Sequence, residues 1–266
     1  MTSPLVPVRE GWWSAFDYLV DGAEAAVPDW VRETALAHAA DDSDRAAIAA
    51  SAYKGGALHV AEAAVQPLAD NGDTLAACNL ALVLYKSGRT EEAETLYRLA
   101  HSRGQLDATF SLANLLEETG RTEEAETLYR HAHDKGNPDA TNNLAVLLHQ
   151  TGRTEEAETL YRHAHNRGNP DATNNLAILL HQTGRTKEAE TLYRHAHNRG
   201  DLVATNNLAV LLGQVGHTDE AETLYRQAHD RGQPYAGYNL AKLLDETGRT
   251  EEAQALRRQA ADTTPE

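Results

Sequence analysis

The stretch that decides the fold is PDATNNLAVLLHQTGRTEEAETLYRHAHNRGN, residues 138–169, followed at once by PDATNNLAILLHQTGRTKEAETLYRHAHNRGD, residues 170–201. The two differ only at Val146/Ile178, Glu155/Lys187 and Asn169/Asp201, the mark of recent internal duplication. The glycine of this block returns at Gly88, Gly120, Gly152, Gly184, Gly216 and Gly248, a constant spacing of 32. An asparagine before Leu-Ala returns at Asn79, Asn143, Asn175, Asn207 and Asn239, with Ser111 filling the remaining register. Self-similarity at such a period is the signature of stacked repeats.

Each copy reads as two helices. In residues 138–169, Asn137 is placed to cap the first, and Pro138 sits in its first turn, where a missing N–H costs nothing. Leu144, Ala145, Leu147 and Leu148 form an apolar stripe, and Gly152 breaks the helix. Thr154 is expected to cap the second helix, with Glu155, Glu156 and Glu158 complementing its N-terminal dipole. Ala157, Leu160, Tyr161 and Ala164 then share one face, Arg162 and Arg167 favour the C-terminal end, and Gly168 stops the helix. One pair cannot bury its stripe alone, but stacked copies can. The expected fold is therefore an all-α solenoid of helix-turn-helix repeats with a 32-residue period.

Six copies cover 74–105, 106–137, 138–169, 170–201, 202–233 and 234–265. A degenerate copy occupies 42–73, where Gly56, Ala61, Ala64, Leu68 and Gly72 keep the register and Pro67 predicts a kinked or short second helix. In the last copy Leu256-Arg257-Arg258 replaces Leu-Tyr-Arg, which ends the stack, and the tail DTTPE is expected to fray. Residues 1–41 lie outside the period and read as an N-terminal helical cap. Trp12, Trp13, Phe16, Leu19 and Val20 suggest one amphipathic helix, and Pro28 to Ala40 a second. Together with Trp30 these aromatics are expected to plug the open end of the stack, a partner-binding patch being the rival reading.

Composition narrows the function. The chain has 266 residues, a net charge of −16, and one cysteine, Cys78, so no disulfide framework is possible within it and a reducing, cytoplasmic setting is expected. The start, MTSPLVPVREGWW, lacks the basic residues and apolar run of a secretory signal, and no stretch of 18 apolar residues predicts a membrane span. The acidic balance argues against nucleic acid, because phosphate binding needs a basic face. Residues 1–73 carry 12 Asp/Glu against 4 Lys/Arg, either a solvated cap or a docking surface for a basic partner.

Asn143-Leu144-Ala145, Leu148, Gly152, Ala157, Tyr161 and Ala164 resemble the tetratricopeptide repeat signature, whose usual period is 34. Two residues are missing between the second helix and the next copy, and that connection, AHNRGNPDATNNLA, resembles the linker of SEL-like repeats. The resemblance implies a right-handed superhelix whose concave face, lined by the first helix of each pair, binds peptides. It implies that Asp139, Asn142, Asn143, Val146, His149 and Gln150 face the groove, then Asp171, Asn174, Asn175, Ile178, His181 and Gln182 in the next copy. Val203, Asn206, Asn207, Val210, Gly213 and Gln214 follow, and Tyr235, Tyr238, Asn239, Lys242, Asp245 and Glu246 close the series.

An amide offers a donor and an acceptor, so the row Asn79, Asn143, Asn175, Asn207 and Asn239 suits the backbone of an extended peptide. Asn142, Asn174 and Asn206 add a second, partial row. The alternative is that these amides satisfy neighbouring backbone groups. Lys86 and Lys242 are the basic groups of this face and lie at opposite ends, which disfavours a carboxylate clamp and predicts a neutral or partly basic ligand.

His101, His133, His165, His197 and His229 recur near the end of each second helix, and His131, His163 and His195 lie two residues earlier. Two residues turn a helix by about 200°, so such pairs do not chelate, and neighbouring helices are expected about 10 Å apart. No metal or cofactor is expected; these rings should instead meet the helix C-terminal carbonyls. Asp41-Asp42-Ser43-Asp44 resembles the Mg²⁺-binding run of prenyl-transferring enzymes, but it lacks a second motif and also reads as an acidic N-cap. No Gly-rich phosphate loop, nucleophile elbow, C-x-x-C or H-E-x-x-H occurs. The expected function is a non-catalytic scaffold for a protein or peptide partner. The alternatives are a helical-repeat enzyme or metal-binding protein, and an acidic inhibitor of a basic partner.

Overall fold

Every sixteenth residue from Gly56 to Gly248 is a glycine with φ between 78° and 89° in the computed structural model, which describes residues 27–262. The 32-residue copy is thus two equal halves, each a 13-residue helix and a three-residue turn. At Gly152 the glycine N–H donates to His149 O at 3.0 Å and the Arg153 N–H donates to Leu148 O at 2.8 Å. At Gly168 the same pair forms, to His165 O at 2.8 Å and, from Asn169, to Ala164 O at 3.1 Å. This left-handed termination satisfies the last carbonyls and is open to glycine at little steric cost. The turns within and between copies are therefore one backbone device.

The chain divides into two compact units, Met1–Asn137 and Pro138–Glu266. The first holds α1 (Asp29–Ala37), α2 (Asp42–Lys54), α3 (Leu58–Asp70), α4 (Thr74–Lys86), α5 (Thr90–Ser102), α6 (Leu106–Glu118) and α7 (Thr122–Asp134). The second holds α8 (Pro138–Gln150), α9 (Thr154–Asn166), α10 (Pro170–Gln182), α11 (Thr186–Asn198), α12 (Leu202–Gln214), α13 (Thr218–Asp230), α14 (Ala236–Glu246) and α15 (Thr250–Asp262). Within each unit consecutive helices pack on one another, so each unit is an all-α solenoid of hairpins. None of the described helices is long and apolar enough to cross a membrane.

Side-chain caps occur on some first helices, α2, α4, α10 and α12, whereas the second helices α3, α5, α7, α9, α11 and α13 have none. Asn169 accepts from the Ala172 N–H at 2.8 Å and Asp201 from the Ala204 N–H at 3.0 Å. Thr154 does not cap α9: it is the first helical residue, and Arg153 holds the N-cap position without a cap bond. Its guanidinium instead grips Glu156 through two bonds of 2.7 Å, so the negative charge at the helix start is fixed by an arginine rather than by a hydroxyl. Pro67 does not shorten α3, which runs its full 13 residues because the proline lies in the last turn, where one lost bond is tolerated. Asp41 caps α2 by accepting the Asp44 N–H at 2.9 Å, while Asp44 accepts the Ala40 N–H at 2.8 Å.

The core alternates large and small. Leu144, Leu147 and Leu148, then Leu176, Leu179 and Leu180, are buried on the first helices, and Ala157, Tyr161 and Ala164, then Ala189, Tyr193 and Ala196, are buried on the second helices that pack on them. On the outer side of the second helices, arginine and glutamate close into four-membered rings. Arg162 bonds Glu158 and Glu188, and Arg185 bonds the same two glutamates, at 2.7–3.3 Å. Arg98, Glu94, Arg121 and Glu124 form the same ring in the first unit, and Arg226, Glu222, Arg249 and Glu252 form it again in the second. The ring around Arg194, Glu190 and Glu220 is open, because His217 stands where the others have arginine. His217→Arg should close it and raise the melting temperature by about 1–2 °C at low salt. A thermal melt showing no gain, or a gain that survives high salt, would contradict the ring account.

The N-terminal end is sealed differently from the expectation for Trp30, which is exposed on α1. Arg32 is the buried residue of α1: it bonds Asp29 at 3.1 Å, and its guanidinium lies where a side chain on Gly55 would stand. Trp12, Trp13, Phe16, Leu19 and Val20 lie outside the described residues.

Candidate functional site

The first helices of the second unit present one shared face. Asn175 Nδ2 donates to Asn142 Oδ1 at 3.1 Å, and Asn239 Nδ2 donates to Asn206 Oδ1 at 3.0 Å. His181 Nε2 meets Gln214 Oε1 at 2.8 Å, which ties α10 to α12. These bonds bring the two asparagine rows together and separate their roles. Asn142, Asn174 and Asn206 are buried between copies, so their amides join helices and have no open side toward a ligand.

Asn143, Asn175, Asn207 and Asn239 are half-buried, and the last three each spend only part of their amide on a neighbour. Asn207 Oδ1 accepts from Asn206 Nδ2 at 3.4 Å. Asn175 Oδ1, Asn207 Nδ2 and Asn239 Oδ1 make no hydrogen bond among the described residues. Beside this row Val146 and Val210 are half-buried and Ile178 is exposed. His149 is half-buried, whereas His181 is also tied to Thr186 Oγ1 at 3.3 Å. Tyr235 and Tyr238 stand out at 70% and 68% exposure at the start of α14, the last first helix among the described residues. Asp245 is not offered to the groove, because it pairs with Arg257 of α15. Lys242 reaches Glu246 at 3.9 Å.

Three of the recurring histidines meet a threonine hydroxyl rather than the helix-end carbonyl expected. His101, His165 and His197 each place Nδ1 at 2.8–2.9 Å from a threonine hydroxyl of the next helix, Thr109, Thr173 and Thr205. Each hydroxyl donates to its own i−4 carbonyl, so it accepts from the ring Nδ1–H. The eight-residue His/Thr spacing across each glycine is the sequence signal that identifies these pairs. In the last copy Gly237 replaces the threonine, and the His229 ring occupies the space its side chain would take.

Burial pushes the His101 and His165 imidazoles below the ordinary 6.5, helped by His131 and Arg98 at the first and by His195, Arg162 and Arg199 at the second. The unfolded chain therefore takes up these protons first as pH falls, so the stability they confer is whole above 6.5 and is lost as pH drops through the folded values. Urea midpoints should fall between about pH 7.5 and about pH 5.5, and His101→Gln with His165→Gln should flatten that fall. An unchanged slope in the double variant would show that these pairs do not carry it. His101 and His131 approach to 5.8 Å between ring centroids, closer than the helix spacing suggested. Among the described residues, no three His, Cys, Asp or Glu side chains gather as a metal site.

The first unit contains a site the sequence reading did not find. A cavity of about 590 Å³ opens between α2 and α4, lined by Ala46, Ala47, Ala50, Leu75, Leu82 and Asn79, with Lys54 and Asp73 also on its wall. Asn79, the first member of the amide row, is exposed here. The run of alanines on α2 gives no motif, which is why the hollow is silent in the sequence.

Tetratricopeptide repeat family models match residues 78–137, 110–164, 138–200, 202–233 and 234–259. No curated protein matches the chain. Among solved structures, a tetratricopeptide repeat protein from Parabacteroides merdae is 18% identical, with a TM-score of 0.63 over 84% of this chain and 93% of its own. A Sel1 repeat protein from Oxalobacter formigenes is 20% identical, with a TM-score of 0.62 over 81% of this chain and 96% of its own. Yeast Tom70 is 17% identical, with a TM-score of 0.71 over 97% of this chain and 56% of its own. At these identities the likeness concerns the fold.

Proposed function

Since the chain belongs to the tetratricopeptide repeat family, we propose that it is a non-catalytic scaffold whose second unit binds an extended segment of a partner protein along its first helices. One observation carries this reading: the half-buried Asn175, Asn207 and Asn239 of successive copies keep unspent amide atoms beside Ile178 and Val210. Amide groups pair with backbone N–H and C=O, while the aliphatic side chains, Val146 among them, select neighbouring residues. Asp139 and Asp171 are exposed on the same face and favour a neutral or partly basic segment. Cys78 is buried and unpaired, and burial first, then Asp107, raises its thiol pKa, which suits a quiet core residue in a reducing cytoplasm.

The test compares partners captured from host lysate by three forms of the full chain. A partner held by the parent should be lost, at least severalfold, from the variant carrying Asn143→Ala, Asn175→Ala, Asn207→Ala and Ile178→Lys. It should be retained by Lys187→Glu, which restores the residue of the sister copy on the second-helix face. Equal capture by the groove variant, with its helix content intact, would refute the reading.

A further inference from the structure

We propose that the cavity of the first unit is the docking site for this chain's own leading segment, residues 11–20 (GWWSAFDYLV), with its large side chains seated between α2 and α4. The cavity and the segment complement one another in size. One wall is built from Ala46, Ala47 and Ala50, and the other from Leu75 and Leu82, with Leu75 left 55% exposed. Its volume, about 590 Å³, falls within the range of pockets that enclose a compact apolar group. The segment carries two of the chain's three tryptophans and one of its two phenylalanines. Trp12, Phe16, Leu19 and Val20 fall at i, i+4, i+7 and i+8, the spacing that lines one side of a helix. Aromatic side chains of this kind gain most from leaving water.

Reach and charge select this occupant over a separate protein. The described chain begins at Val27 and enters α1 at once, and α1 packs on α2, the alanine wall itself. Residues 21–26 can span about 20 Å when extended, so the tether holds the segment at high local concentration beside the cavity. On the wall, Asp73 is spent on the N–H groups of Leu75 and Ala76 at 2.8 and 3.0 Å, while Lys54 is in no ion pair among the described residues, and the segment carries the opposite charge at Asp17. This inference is independent of the groove in the second unit.

Tryptophan fluorescence of the full chain tests it. Trp30→Phe leaves Trp12 and Trp13 as the only reporters. In that background their emission should be blue-shifted and poorly quenched by acrylamide. Adding Ala50→Arg or, separately, Leu75→Lys should raise quenching severalfold. Both positions are exposed at the cavity, so circular dichroism should show unchanged helix content. Free access of quencher in Trp30→Phe alone would overturn the proposal. So would equal protection in both cavity variants, which places the segment elsewhere. Protection lost on dilution would assign it to the cavity of a second copy and overturn the intrachain contact.

Discussion

Tyr161→Arg should cost the second unit about 4 kcal/mol of stability, read as a lower urea midpoint by circular dichroism. Tyr161 is 2% exposed, so an arginine there would bury a charge with no carboxylate to meet it. The chain carries out the same exchange once, at Arg257, and shows what it requires. That side chain is 47% exposed and pairs with Asp245, twelve residues earlier. Twelve residues before Tyr161 stands His149, which cannot play that part when neutral. Adding His149→Asp should therefore recover part of the loss, a coupling that a double-mutant cycle isolates. A loss under about 1 kcal/mol would mean that the tyrosine site is not sealed.

Asn206→Ala should destabilise by about 2 kcal/mol, and Asn174→Ala by less than half as much, although the two residues occupy the same position in successive copies. Asn206 accepts from Asn239 and donates to Asn207, so its removal strands polar atoms on both neighbours. Asn174 donates to Asp201 at 3.2 Å and to Pro170 O at 3.4 Å, but its Oδ1 is buried without a partner. Deleting an oxygen already unsatisfied removes a cost along with the bonds. Parallel denaturant titrations decide the point, and equal losses would refute the unequal wiring.

The period, the helix pairs and their apolar stripes were legible because each rests on local spacing: Leu144 with Leu148, Ala157 with Ala164, glycine after every stripe. The cap read at Asn137 has counterparts at Asn169 and Asp201, which stand at the same register in the next two copies, but not at Gln105 or Tyr235. What escaped depends on how helices approach one another. Whether Asn142 or Asn143 faces outward is set by the contact between α8 and α10, which no single copy encodes. The Thr154 cap failed because Arg153 and Glu156 compete for that helix start through a stronger, charge-assisted pair. The cavity beside α2 is a matter of missing volume, and alanines announce helix rather than emptiness.

The identity of all the turns has an evolutionary reading. A recombination event slipping by one copy, between 138–169 and 170–201 for instance, adds or removes 32 residues and rejoins an amide or carboxylate cap to the same helix start, as Asn169 and Asp201 already demonstrate. The length of this molecule can therefore change by whole modules in one genetic step, and with it the number of first helices that share one face.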